Sequence, residues 1–175
     1  MGDSILITGV AGSGKSTAYR ELRRRGYTAH DIENIGGLFT FVNKSTGTPA
    51  EGYGYDNPEW FERNSWMCNR EKLETLVLAN RIGSAFYCGI AANLDDLFPL
   101  FDKVFLLRVG AGTLRRRLSG RRADDFGRAP AIQDWLLGWK GEWEDEMLQK
   151  GAVAIDADRD VVEVVGEILG LCNLD

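Results

Sequence analysis

Gly9-Val10-Ala11-Gly12-Ser13-Gly14-Lys15-Ser16 is the stretch from which the rest of this chain is read. Gly9 and Gly14 stand with four residues between them and are followed by Lys-Ser, the pattern of a loop that wraps phosphate when it joins a strand to a helix. Upstream, Ser4-Ile5-Leu6-Ile7-Thr8 is a short apolar run rich in β-branched residues, which predicts a buried parallel strand. Downstream, Lys15 to Arg25 switches to helix formers and stops at Gly26, a C-cap glycine. Glycines at 9, 12 and 14 let the backbone turn tightly and aim its N–H groups inward, and the helix start adds partial positive charge. In this reading Ser13 lies within the cradle and Lys15 reaches the β- and γ-phosphates. Ser16 ligates magnesium and Thr17 closes the shell. The expected ligand is ATP with Mg2+.

Outward from the loop, strands and helices alternate. Tyr27 to His30 predicts a second strand ending at Asp31, and Ile32 to Asn57 is glycine-rich and polar with no clear element. One helix is expected from Pro58 through Trp60, Trp66 and Leu73 to Ala79. Ser84 to Cys88 is a third strand, Asn93 the cap of a short helix ending near Phe98, and Lys103 to Val109 a fourth strand. A helix from Gly112 to Leu118, an arginine-rich segment from Gly120 to Pro130 and a helix from Ala131 to Lys150 follow. Ala152 to Ile155 is a fifth strand and Val161 to Leu171 the last helix. Such alternation implies a parallel sheet covered on both faces.

The bulk properties narrow the partners. A chain of 175 residues, 44% hydrophobic, suits one domain. Its net charge of -5 argues against coating nucleic acid and for a small-molecule partner. No apolar run reaches the roughly 20 residues that span a bilayer, and the N-terminus lacks signal-peptide features, so a cytoplasmic protein with no membrane partner is expected. Cys68, Cys88 and Cys172 read as reduced packing thiols, and the single His30 as structural.

Two other users of such a loop fit poorly. A GTPase switch needs Asn-Lys-x-Asp after a later strand, whereas the only Asn-Lys, at Asn43-Lys44-Ser45-Thr46, comes early and lacks the aspartate. A motor or AAA-type ATPase wants an apolar strand ending in Asp-Glu, and neither Ser84 to Cys88 nor Val104 to Val109 ends so. The acid that does end a strand is Asp31, where a carboxylate can hold the magnesium shell or accept the proton of an attacking hydroxyl. In Arg117-Leu118-Ser119-Gly120-Arg121-Arg122 arginines leave a helix for a short polar loop, as a lid closing over ATP requires.

On the Gly9 to Thr17 loop, Asp31, the Arg117-x-x-x-Arg121-Arg122 segment and Ile155-Asp156-Ala157-Asp158, the chain resembles the small P-loop kinases of metabolites and nucleotides, the adenylate kinase and shikimate kinase-like group. The resemblance covers nearly the whole length. It implies a three-layer α/β/α P-loop NTPase fold, with a five-stranded parallel sheet in the order 2-3-1-4-5 and a small lid at about 119–130. It further implies that Asp156, Ala157 and Asp158 border the adenine and that Arg117 and Arg121 contact ATP phosphates or stack near adenine. Asp31 would lie near magnesium and the acceptor hydroxyl.

The acceptor should lie between Asp31 and a substrate segment at about 32–81. Asp31 and Glu33 are candidates to hold its hydroxyls or amines. Arg63 and Arg70, seven residues apart on the expected helix, would share a face and could bind an anion. Cys88-Gly89-Ile90-Ala91-Ala92-Asn93 carries no arginine where nucleoside monophosphate kinases present one, which favours an acceptor without phosphate: a nucleoside, sugar or other polyol, or shikimate-like hydroxyl. Nucleoside monophosphate kinase activity and a regulatory ATP-binding module remain alternatives. Trp135, Trp139 and Trp143 recur every fourth residue, a spacing typical of core packing, while Trp60 and Trp66 are better placed to meet the acceptor. The run Glu142, Glu144, Asp145, Glu146 reads as a solvated face.

Overall fold

The structure, a computed structural model, describes residues 1–174. Its main sheet has β1 (Ser4–Thr8) at the centre, β5 (Ala85–Cys88) and β6 (Lys103–Arg108) on either side, and β2 (Thr28–Asp31) and β7 (Val153–Asp156) at the edges. All pairings are parallel. Taken in chain order, these five strands run 2-3-1-4-5, the expected arrangement. The alternation of side chains along β1 sorts them into two cores. Ile5 and Ile7 pack on one face with α1 (Lys15–Arg24) and α7 (Val161–Leu171), while Leu6 packs on the other with α3 (Arg70–Ala79) and α4 (Leu94–Leu97). A strand apolar on both faces belongs inside such a sandwich, where each fully buried aliphatic side chain contributes about 1.5–3 kcal/mol. Between β6 and β7 lie α5 (Ala111–Ser119) and the long α6 (Pro130–Gln149), whose residues enter both cores. Among the described residues no helix is long and apolar enough to cross a membrane.

The main departure from expectation is at 58–79. In place of one helix there are three elements: α2 (Pro58–Arg63), β4 (Asn64–Cys68) and α3. β4 pairs antiparallel with β3 (Phe39–Asn43), placing Trp66 opposite Phe41 and Cys68 opposite Phe39. The cause is local chemistry that a helical period hides. Asn57 caps α2 through Glu59 N–H, and Asn69 starts a new helix by accepting from Lys72 N–H. Between these caps, Asn64-Ser65-Trp66-Met67-Cys68 is a weak helix former that pairs well with the alternating aromatics of β3.

Asn93 stands at the N-cap of α4 as expected, but its side chain makes no capping bond; its amide clamps Cys68 N–H and C=O at 3.0 Å each, tying β4 to the loop after β5. Glu144 is not on a solvated face. It is 1% exposed and held by Arg108 of β6 at 3.0 Å and Lys140, one turn earlier, at 2.8 Å. The three cysteines are buried and unpaired. His30 stacks on Tyr87 of β5, and burial lowers its pKa.

Candidate active site

The loop between β1 and α1 turns because its glycines take conformations that other residues rarely adopt. Gly12 and Gly14 have φ of 84° and 104°, and a Cβ on Gly9 would stand 2.9 Å from the Leu107 carbonyl oxygen of β6. Gly14 is the N-cap of α1, so the first amides of the helix open into the loop, an arrangement that suits phosphate oxygens. Lys15 Nζ lies 2.6 Å from the Gly9 carbonyl oxygen, 3.2 Å from that of Val10 and 4.0 Å from the Glu33 carboxylate. Burial pushes its pKa down while Glu33 pulls it up. An ammonium so placed is relieved by an arriving anion.

Two acids meet the loop in different ways. Asp31, at the end of β2, accepts from Ser16 Oγ at 3.4 Å and from Asn34 Nδ2 at 2.9 Å. The Ser16 hydroxyl and Asp31 carboxylate form a hard-oxygen pair that fits Mg2+, an ion that keeps water and phosphate oxygens in its shell. Among the described residues no group of three or more His, Cys, Asp or Glu could cage a metal by itself. Glu33, in the 3-10 turn Ile32–Asn34, is held elsewhere. Its Oε1 accepts from Trp66 Nε1 at 3.0 Å and its Oε2 from Ile90 N–H at 3.3 Å.

The two arginines of the expected lid also divide. Arg117 donates to the carbonyl oxygens of Gly12 and Ser13, each at 3.3 Å, and of Ala157 at 2.9 Å, strapping the loop to the turn after β7. Arg121 donates to the Phe126 carbonyl at 2.8 Å. Although that residue as a whole faces solvent, its guanidinium is sunk far enough that burial lowers its pKa, with Asp125 and Glu33 opposing. Lys15, Glu33 and Arg121 thus act on one another electrostatically across one space.

That space is a cavity of about 1130 Å³. The loop, Asp31, Glu33 and Arg121 line its polar part. Phe41 of β3, Trp66 of β4, Phe61 of α2, Phe126 of the segment between α5 and α6, and Trp135, Trp139 and Trp143 of α6 line the remainder with aromatic faces. These rings touch in series: Phe61 lies 5.9 Å from Phe41, 4.9 Å from Phe126 and 5.6 Å from Trp135.

Comparison with protein families finds a match to the AAA domain over residues 5–134, from β1 through the loop and both acids into α6. The chain belongs to the AAA domain family. β5 and β6 end in Cys88 and Arg108, without the Asp-Glu pair expected of an AAA-type motor. No curated protein matches the chain. Among solved structures, a deoxyadenosine kinase from M. mycoides with bound dATP superposes with a TM-score of 0.59 at 18% identity, covering 97% of this chain and 99% of that one. A gluconokinase from Sinorhizobium meliloti 1021 gives 0.55 at 23% identity over 98% and 91%. A sugar kinase from Janibacter sp. HTCC2649 gives 0.57 at 17% identity over 99% and 96%. At these identities the likeness is one of fold.

Within this AAA domain the structure gathers Gly12, Gly14, Lys15, Ser16, Thr17, Asp31, Glu33, Arg117 and Arg121 around one cavity, with Gly9 and Ser13 shaping the loop behind it. Asp156, Ala157 and Asp158 are not among the cavity-lining residues; the Ala157 carbonyl accepts from Arg117, and Asp158 accepts from Gly110 N–H at 3.0 Å. Arg63 and Arg70 fall outside the cavity lining. β4 separates their helices, and Arg70 is engaged by the Asp96 carbonyl and Glu74. Trp60 is buried behind the cavity, donating to the Glu51 carbonyl at 3.0 Å. Sequence reasoning missed Phe41, Phe61, Arg20 and Lys44 in the lining. The alternation Phe39-Thr40-Phe41-Val42 was the available signal for the first of these. The tryptophan stripe, expected to be packing, both packs and lines the cavity.

Proposed function

We propose that the chain is an ATP-dependent phosphotransferase, a kinase that moves the γ-phosphoryl group of MgATP to a hydroxyl of a small acceptor without phosphate, a nucleoside in preference to a sugar or polyol. The observation that carries this is the convergence of Lys15, Asp31, Glu33 and Arg121 on a cavity whose remaining walls are aromatic. A flat base gains about 1–3 kcal/mol from stacking on such a face. A polyol would leave the same walls unused and its own hydroxyls short of partners. The fold shared with a deoxyadenosine kinase supports a nucleoside acceptor, and that shared with a gluconokinase supports a polyhydroxy acid; the aromatic lining favours the former.

The loop amides and Lys15 bind the triphosphate, and Arg121 faces the charge that develops on the transferred group. Ser16 and Asp31 would hold Mg2+, which would neutralise charge on the phosphate oxygens. Glu33 accepts a hydrogen bond from the acceptor hydroxyl and takes its proton as that oxygen bonds to the γ-phosphorus. The bond from the γ-phosphorus to the bridging oxygen breaks and ADP leaves with the electron pair. Catalysis is then mainly positioning and charge stabilisation.

A nucleoside monophosphate is the second reading, favoured by Arg20 and Lys44, two cavity-lining cations that form no ion pair among the described residues. Measuring ADP release over panels of nucleosides, nucleoside monophosphates, sugars and shikimate-like acids tests both. Turnover with nucleosides is expected; turnover confined to monophosphates selects the second reading. Tight ATP binding with no acceptor-dependent turnover would leave only a regulatory ATP-binding module.

A further inference from the structure

Glu33 and Lys15 stand 4.0 Å apart, at the outer limit of an ion pair, with side chains only 26% and 10% exposed. Opposite charges so sheltered are drawn into contact unless something holds one of them away. The restraint on Glu33 is visible. Trp66 Nε1–H takes Oε1 at 3.0 Å, and Ile90 N–H takes Oε2 at 3.3 Å. Trp66 is itself fixed, with its ring between Phe39 at 5.2 Å and Phe41 at 4.5 Å and its carbonyl accepting from Ala92 N–H at 2.7 Å. The indole therefore has little freedom to follow Glu33 towards Lys15, and Glu33 has a strong reason to stay with the indole, because hydrogen bonds to a charged group are the stronger kind.

We propose that Trp66 is a positioning residue that holds Glu33 off Lys15, leaving the ammonium open to the triphosphate and the carboxylate open to the acceptor. This rests on the phosphotransfer reading for the part Glu33 plays, but not for its effect on ATP. If Trp66 cannot donate, Glu33 closes on Lys15, and ATP must break that pair before it binds. The β3–β4 pair thereby governs the donor half of the site, although Trp66 belongs to the acceptor half.

MgATP affinity, measured by calorimetry without any acceptor, tests this in four proteins: wild type, W66F, E33Q and W66F/E33Q. W66F keeps a ring between Phe39 and Phe41 and removes only the donor. Its MgATP affinity is expected to fall about tenfold, the size of one lost hydrogen bond to a charged group. E33Q should bind at least as well as wild type, and the double variant should match E33Q, because no carboxylate remains to close on Lys15. Unchanged affinity in W66F, or a double variant as weak as W66F, would overturn the proposal. If W66F does not fold, E33Q in the otherwise wild-type chain should still shift one of the five indole N–H resonances, and no shift would overturn it. Failure to find any acceptor, with the affinities behaving as expected, would remove the phosphotransfer reading and leave this one standing. A wild type that does not bind MgATP would remove both.

Discussion

The phosphate-loop side of the cavity and its aromatic side are built in opposite ways. The loop side, the donor half of the proposed kinase, is nearly contiguous, from Gly9 to Thr17, and presents backbone amides and one lysine whose places follow from the turn itself. The aromatic side, its proposed acceptor half, draws Phe41, Phe61, Trp66, Ile90 and Trp139 from five separate segments and presents side-chain faces. A contiguous backbone device can be read from spacing. A surface assembled from distant segments becomes visible only after the chain has folded.

If the halves are as distinct as this, substitutions should separate them kinetically. The largest effect is expected from Lys15→Ala: turnover should fall roughly 10³-fold while the chain still folds, because the ammonium stabilises charge on the transferred group. Retained activity with that variant would mean the donor half has been misread. Arg121→Ala should lower kcat about 10²-fold with little change in thermal stability. Arg117→Ala should instead cost about 1–2 kcal/mol of stability on denaturant melting, since its three bonds go to backbone carbonyls. Interchanged results would reverse the roles given to these two arginines.

Trp139→Leu probes the acceptor half. The KM of a nucleoside acceptor should rise about tenfold while the KM of ATP stays put, and equal rises in both would dissolve the distinction between halves.

The smallest effect concerns neither half. Hydrogen bonds from Arg24 and Arg25 lower the Glu21 pKa to about 2 from its ordinary 4.5. This depressed value means that the pair's contribution is full above about pH 4.5 and is lost as pH falls through about 2. Glu21→Gln should flatten the acid limb of a thermal-midpoint profile and leave neutral-pH turnover unchanged.

Residues 58–79 show why the aromatic side is less legible in the sequence. Trp60, Trp66 and Leu73 are compatible with one amphipathic helix, and the chain does begin and end that stretch in helix. What breaks it is β3, more than twenty residues upstream, whose aromatics make a strand of Asn64–Cys68. No local rule carries information from Phe41 to Trp66. The Trp135-Trp139-Trp143 spacing was visible too, but one periodicity serves a core and a binding wall alike, and only the position of α6 beside the cavity separates them.

By itself the sequence determined the alternation of strands and helices, the parallel sheet and the phosphate loop, because burial on both faces and glycine turns are short-range constraints written into neighbouring residues. Tertiary structure alone decided that Glu33 is held by Trp66, that Arg117 straps the loop while Arg121 faces the cavity, and that aromatic rings line the rest of that cavity. Those are contacts between segments far apart in the chain, and their geometry exists only once β3, β4, the segment after α5 and α6 have come together around the loop.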